Sequence, residues 1–389
     1  MHDDELAWKG LTVFGVLLLV LFSAQSVRAD DEASVLNKFK TISTVASTVP
    51  SNGDVNPYGI VLVQQSVGNL QKGHVLISNF NNSSNAQGTG TTIVDIAPNG
   101  TVTQFAQINA STLPGPCPGG VGLTTALAVF QTGWVIVGSL PTSDGTSATA
   151  QAGCLIVLDS WGNPVETFYG SLINGPWDLA YADNGAKAEL YVTNVLNGTV
   201  AANGTVVNQG SVVRINLALS EKTAPWIEAM TVIGSGFSQR TDPNALVIGA
   251  TGVALSPLCA ADDRDDCTVA SQEDHRVLYV ADTLNNRIVA IPDAAHRSDT
   301  AGTGITVAHG GSLNAPLGLI VVPNGHILVV NGDDGYAIEF SPRGQQVAKK
   351  LLDNTGSPAG AGALFGLVFD AQRGLLFVDD ASNTLDELH

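Results

Sequence analysis

Short runs of apolar or alternating residues are separated along this chain by clusters of Gly, Pro, Asn, Asp and Ser, a period-two pattern that predicts strands joined by tight turns. The clearest unit is Asn314-Ala315-Pro316-Leu317-Gly318-Leu319, then a Pro323-Asn324-Gly325 turn, then His326-Ile327-Leu328-Val329-Val330-Asn331. Six copies align with Gly59, Ala126, Asp178, Gly252, Gly318 and Gly366 in one column, at intervals of 48 to 74 residues. Periods of this length built from short strands mark propellers or solenoids. Each unit adds a third strand, at Thr92–Ile96, Cys154–Leu158, 211–215, Arg287–Ile291, Tyr336–Phe340 and Thr384–Leu388. Most add a weaker fourth, as at 102–105 and 165–168. The expected fold is therefore all-β, a six-bladed β-propeller of four-stranded antiparallel blades over residues 30–389. The sixth unit ends after three strands, and residues 39–45 alternate like a strand without a partner. Pairing that segment into the last blade closes the ring and removes two exposed edges.

The sequence Leu278-Tyr279-Val280-Ala281-Asp282-Thr283-Leu284-Asn285-Asn286-Arg287-Ile288 resembles the second-strand, turn and third-strand signature of NHL repeats. Pro57-Tyr58-Gly59 and Pro316-Leu317-Gly318 resemble the strand openings of the same family. The resemblance covers roughly residues 39–389 and implies the propeller more than any activity, because such propellers host lyases, lactonases and binding modules. Gluconolactonase-like propellers open their first blade with Glu-Gly-Pro, and Asn56-Pro57-Tyr58 here lacks that acid. Amidating lyases of the group hold zinc with histidines. In this chain His74, His275 and His326 fall at the starts of second strands, while His296 and His309 follow the third strand of blade four with no partner pattern.

Propeller geometry puts the between-blade and second-to-third connections on one face, and the first-to-second and third-to-fourth connections on the other. The second-to-third connections of blades one to three are long, at 81–90, 141–153 and 195–210, and rich in Asn, Ser, Thr, Gly and Ala. They predict a polar collar over half of one face, either a ligand surface or mobile decoration. Beneath it, the residue before each small position reads Tyr58, Thr125, Trp177, Thr251, Leu317 and Phe365. Tyr58, Trp177 and Phe365 are candidates for stacking on a sugar or apolar ligand, or else for packing between blades. The second strands end in Asn79, Ser139, Asn194, Asp282, Asn331 and Asp380, oxygens suited to a hard cation such as Ca²⁺ or to turning backbone. Asp178 breaks a column of Gly and Ala. A carboxylate there, near Asp282 and Asp380, is expected to be relieved by a cation, a shared proton or backbone donors. The candidate ligand site is thus Tyr58, Trp177, Asp178 and Phe365, and the candidate cation set is Asp178, Asn194, Asp282, Asn331 and Asp380.

Composition narrows the partners. Residues 11–22 are almost wholly apolar and are followed by Ser26-Val27-Arg28-Ala29, which reads as a signal peptide over 1–29, with a retained anchor as the alternative. The formal net charge is −18, and removing 1–29 leaves 32 acidic against 15 basic side chains. That balance repels nucleic acid and anionic membranes. Four cysteines in an exported chain predict disulfides Cys117–Cys154, within blade two, and Cys259–Cys267, bracketing an acidic loop that includes Asp262, Asp263, Asp265 and Asp266. The alternative is four free thiols. The expectation is a secreted or periplasmic monomer, without a stable membrane span, binding a small molecule, glycan or protein on the collar face. A metal-assisted hydrolase or lyase with its site at the axis is the runner-up, and an envelope protein using the acidic loop is a third reading.

Overall fold

Apolar strand, turn, apolar strand folds into six antiparallel sheets in the computed structural model, which describes residues 34–257 and 275–389. Blade one comprises Val55–Leu62, Val75–Asn81, Thr92–Ile96 and Val102–Gln107; blade two comprises Leu123–Val129, Val135–Ser139, Cys154–Leu158 and Pro164–Phe168. Blade three runs Pro176–Asp183, Lys187–Asn194, Val207–Ala218 and Trp226–Asp242, with Leu246–Ile248 added to its edge. Blade four is Ala250–Leu255, Leu278–Asp282, Arg287–Ile291 and Ile305–His309; blade five is Pro316–Val321, Ile327–Asn331, Tyr336–Phe340 and Gln346–Leu351. Blade six joins Leu364–Asp370, Gly374–Asp379 and Thr384–Leu388 to Ile42–Ser47.

Five third strands match their sequence expectation. The exception is blade three, where Val207–Ala218 outruns 211–215 because it pairs with Trp226–Asp242 from Val207 opposite Gln239 to Ala218 opposite Trp226. The ends of this long hairpin's two strands away from their turn, at Val207 and Gln239, adjoin the collar connection of this blade. Second strands such as Val75–Asn81, Val135–Ser139 and Ile327–Asn331 are buried throughout, since blades pack on both of their faces.

The small column has a steric cause. A Cβ at Gly252 would strike the Leu317 carbonyl, one at Gly318 the Phe365 carbonyl, and one at Gly366 the Tyr58 carbonyl, each in the next blade. First strands converge on the axis, and glycine permits that approach.

Ring closure is as expected in kind and shifted in register. Ile42 faces Leu388 and Ser47 faces Thr384, with a bulge between Thr44 and Ala46. A further latch precedes this strand. The Glu339 carboxylate, fully buried in blade five, accepts from Ser34 Oγ at 2.6 Å, Val35 N and Leu36 N at 2.9 Å each, and contacts His326 Nδ1 at 2.7 Å. Val35 and Leu36 pack into a core with Val322, Leu328 and Phe377. Residues 34–36 are thus pinned to blade five before Ile42–Ser47 completes blade six.

Cys117 and Cys154 form a disulfide with their Cα atoms 5.1 Å apart. Residues 1–29, the Cys259–Cys267 pairing and the acidic loop lie outside the described residues. No helix among the described residues is long and apolar enough to cross a membrane.

Candidate functional site

The first strands line an axial channel with a volume of about 290 Å³. Aliphatic side chains from all six blades line it, including Ile60, Leu127, Ala180, Leu255, Ile320 and Val368, while polar and apolar atoms share its exposed wall about equally. It reaches Gln64, Tyr181 and Val321 at the ends of those strands, so its mouth lies on the face of the first-to-second connections, opposite the collar.

At the collar end the channel is closed by the candidate aromatics, which pack between blades, the second of the two roles the sequence left open for them. Tyr58 stacks on Phe365 at 3.9 Å and on Phe80 at 4.6 Å between ring centroids, with Trp177 tilted against it at 5.9 Å. Tyr58, Trp177 and Phe365 are all buried. Their faces are occupied by one another because they meet where the first strands converge. Leu140, Ala150, Val195, Leu196, Leu246 and Val247, from the connections above, complete the same apolar cluster.

The collar connections are cross-bonded. Thr142 N donates to Gly88 O at 3.0 Å, Gln87 Nε2 to Asn244 O at 3.0 Å, and Asn174 Nδ2 to Asn197 Oδ1 at 3.0 Å. Gln239 Nε2, from the long hairpin, donates to Asn197 O and Thr199 Oγ1 at 2.6 and 2.9 Å. These bonds tie blades one, two and three together across the closed end.

Asp178 sits beneath the plug at the blind end of the channel. Its Oδ2 accepts from Val253 N of blade four at 3.1 Å, while its own N–H donates to Thr193 Oγ1 at 3.1 Å. Burial pushes its carboxyl up to about 7, against the lowering effect of backbone donors at Val253 and Leu179. Repulsion from Asp282 and Asp380 therefore does not set its protonation; desolvation does. Asp380 is pushed up to about 8 by burial and by the charge of Asp379, and its Oδ1 is buried without a hydrogen-bond partner. Asp380 in turn adds its charge to the burial that raises the Tyr58 hydroxyl.

Of the candidate cation ligands, Asp282, Asn194 and Asn331 bond turning segments, the other role the sequence left open for this column. Asp282 takes Arg287 Nε at 2.6 Å and Asn285 Nδ2 at 3.0 Å on both oxygens. Asn194 Oδ1 accepts from Asn174 N at 2.8 Å, and Asn331 Oδ1 from Asn314 N at 3.1 Å. Asn79 Nδ2 donates to Thr48 O at 3.1 Å. Asp178, Asp282 and Asp380 are not brought together as a ligand set: among the described residues, the cluster of three His, Cys, Asp or Glu side chains with ligand atoms in reach of one ion is His275, Asp293 and His296. Sequence reading left these histidines unpaired. The signal available was topological, since a first-to-second and a third-to-fourth connection of one blade emerge on the same face.

No protein-family model and no curated protein sequence matches the chain. Its fold is similar to that of a calcium-binding protein, regucalcin, from Agrobacterium tumefaciens (TM-score 0.51, 13% identity, 89% of this chain and 93% of that one). It is also similar to a gluconolactonase from Xanthomonas campestris (TM-score 0.50, 14% identity, 89% and 88%) and to a putative glucose dehydrogenase from Thermus thermophilus (TM-score 0.51, 12% identity, 90% and 99%). At these identities the likeness is one of fold.

Proposed function

We propose that this protein is a binding module for a small, largely apolar molecule carrying an amine or another hydrogen-bonding group, taken into the axial channel from the face opposite the collar. The observation that carries this reading is a channel lined by aliphatic side chains from six blades and by backbone polar groups, with one carboxyl, Asp178, at its closed end. Its volume lies at the small end of the range for ligand sites, where apolar walls supply affinity and a few polar groups fix orientation. A ligand cation would favour the ionised form of Asp178 and offset the desolvation that holds it protonated.

Calorimetric titration at pH 8 with n-hexylamine and with hexan-1-ol tests the reading. Saturable binding of the amine, lost in Asp178→Asn and blocked in the channel-filling Ala180→Trp, is the expected result. Absence of binding by both probes, or equal binding by parent and Ala180→Trp, overturns it.

A hydrolase or lyase using Asp178 as general acid or base is the second reading, favoured by a carboxyl that titrates near neutral pH inside a cavity. A cation at the axis is less supported, because Asp282 is already paired with Arg287. Export to an oxidising compartment is proposed for either case, supported by the Cys117–Cys154 disulfide.

A further inference from the structure

Three ligating side chains meet on the open face of blade four. His275 precedes its second strand, and Asp293 and His296 follow its third. The Nδ1 atoms of both histidines reach the same carboxylate oxygen, Asp293 Oδ1, at 2.9 and 3.2 Å. The histidine–carboxylate pairs inside the sheets, His74 with Asp95 at 2.8 Å and His326 with Glu339 at 2.7 Å, are one to one. Asp293 is held in the left-handed region at φ 53°, and its carbonyl accepts from His296 N at 3.2 Å and Arg297 N at 3.1 Å. That turn sets the carboxylate and His296 side by side, three residues apart.

We infer that His275, Asp293 and His296 form a binding site for a divalent ion of the zinc class. The three ligand atoms lie within 4.8 Å of one another. A tetrahedral ion about 2.0 Å from nitrogen and oxygen ligands spaces them about 3.3 Å apart, close to the two histidine–carboxylate separations of 2.9 and 3.2 Å. Two imidazoles and one carboxylate select late first-row ions, whereas Ca²⁺ asks for six to eight oxygens. The side chains are 43% to 61% exposed, which gives an ion an entry path and leaves room for water in the fourth position. Of the flanking cations, Arg297 is drawn aside by Asp299 at 3.4 Å and by the Pro292 carbonyl. Arg276, with His296, lines a groove of about 590 Å³ between blades three and four that also carries Asp183, Glu189 and Glu228. A bound ion would join two connections of blade four at the rim of that groove.

The test is titration of the intact protein with Zn²⁺ and Co²⁺ at pH 7.5, read by calorimetry and by cobalt absorption. The expected result is one saturable site per chain, a melting temperature that rises with Zn²⁺ and not with Ca²⁺, and weaker binding below about pH 6.5, where imidazole protonates. His275→Ala, His296→Ala and Asp293→Asn should each remove the saturable step, while His74→Ala retains it. An unchanged melting temperature of the metal-free variants separates lost ligation from lost folding. No saturable Zn²⁺ binding by the parent, or undiminished binding by the His275→Ala/His296→Ala double variant, overturns the site.

Discussion

The two faces of this ring are built from the same repeat and end in opposite states. On the collar face, long connections from blades one to three cross-bond and pack over a stack of Tyr58, Phe80, Trp177 and Phe365. On the other face, among the described residues, lie the mouth of the channel, the groove between blades three and four and the His275 cluster. Long loops on a rigid scaffold are commonly where binding resides. Here they pack over the aromatic stack at the closed end of the channel.

If the collar face is a structural cap, changes there should cost stability, and changes on the open face should not. Tyr58→Ala removes the ring stacked between Phe365 and Phe80, and is expected to destabilise by about 3–5 kcal/mol in urea unfolding. A loss below about 1 kcal/mol would mean that the plug is not part of the core. Protonation of Asp178 gives the next effect. Its folded pKa of about 7 stands above its ordinary 3.8, so the folded state holds the proton more tightly. Its contribution is fully present below pH 4 and is lost as pH rises towards and through 7, by about 4 kcal/mol at most. Asp178→Asn should flatten that fall, and unfolding curves for both proteins from pH 4 to 8 read it directly. Parallel curves would show that the carboxyl is solvated.

Arg287→Ala leaves Asp282 buried without its cation and is expected to cost about 3 kcal/mol, with the Asp282→Asn/Arg287→Ala pair recovering part of it. The smallest effect belongs to the open face. Lys187 and Glu228 pair at 3.2 Å with side chains 67% and 39% exposed, so Lys187→Ala should change stability by less than about 1 kcal/mol. A loss as large as that of Arg287→Ala would erase the distinction between the faces.

Much of the frame was legible in the chain. The third strands at Thr92–Ile96, Cys154–Leu158, Arg287–Ile291, Tyr336–Phe340 and Thr384–Leu388 follow from local alternation and turn residues. Closure by the N-terminal strand was legible from an unpartnered edge, but its register was not. The strand is Ile42–Ser47 rather than 39–45, because Val35–Lys38 first docks on Glu339 and a bulge follows Thr44. That docking is invisible to periodicity, since it joins residues about three hundred positions apart. Asp178 stood out as an exception to a column, and the Cys117–Cys154 pair followed from placing both on one blade. Tyr58, Trp177 and Phe365 could not be told from a ligand platform, because aromatics at a channel end look alike in sequence whether their faces are free or stacked.

What the sequence alone determined is the repeat. Alternation sets each strand, Gly and Asn set the turns, and glycines in the inner column set how closely the blades approach. Tertiary structure alone decided which end of the channel is open, which carboxyls burial raises and which histidines meet. Those properties depend on desolvation and on contacts between blades, and both arise only when distant segments converge on the axis.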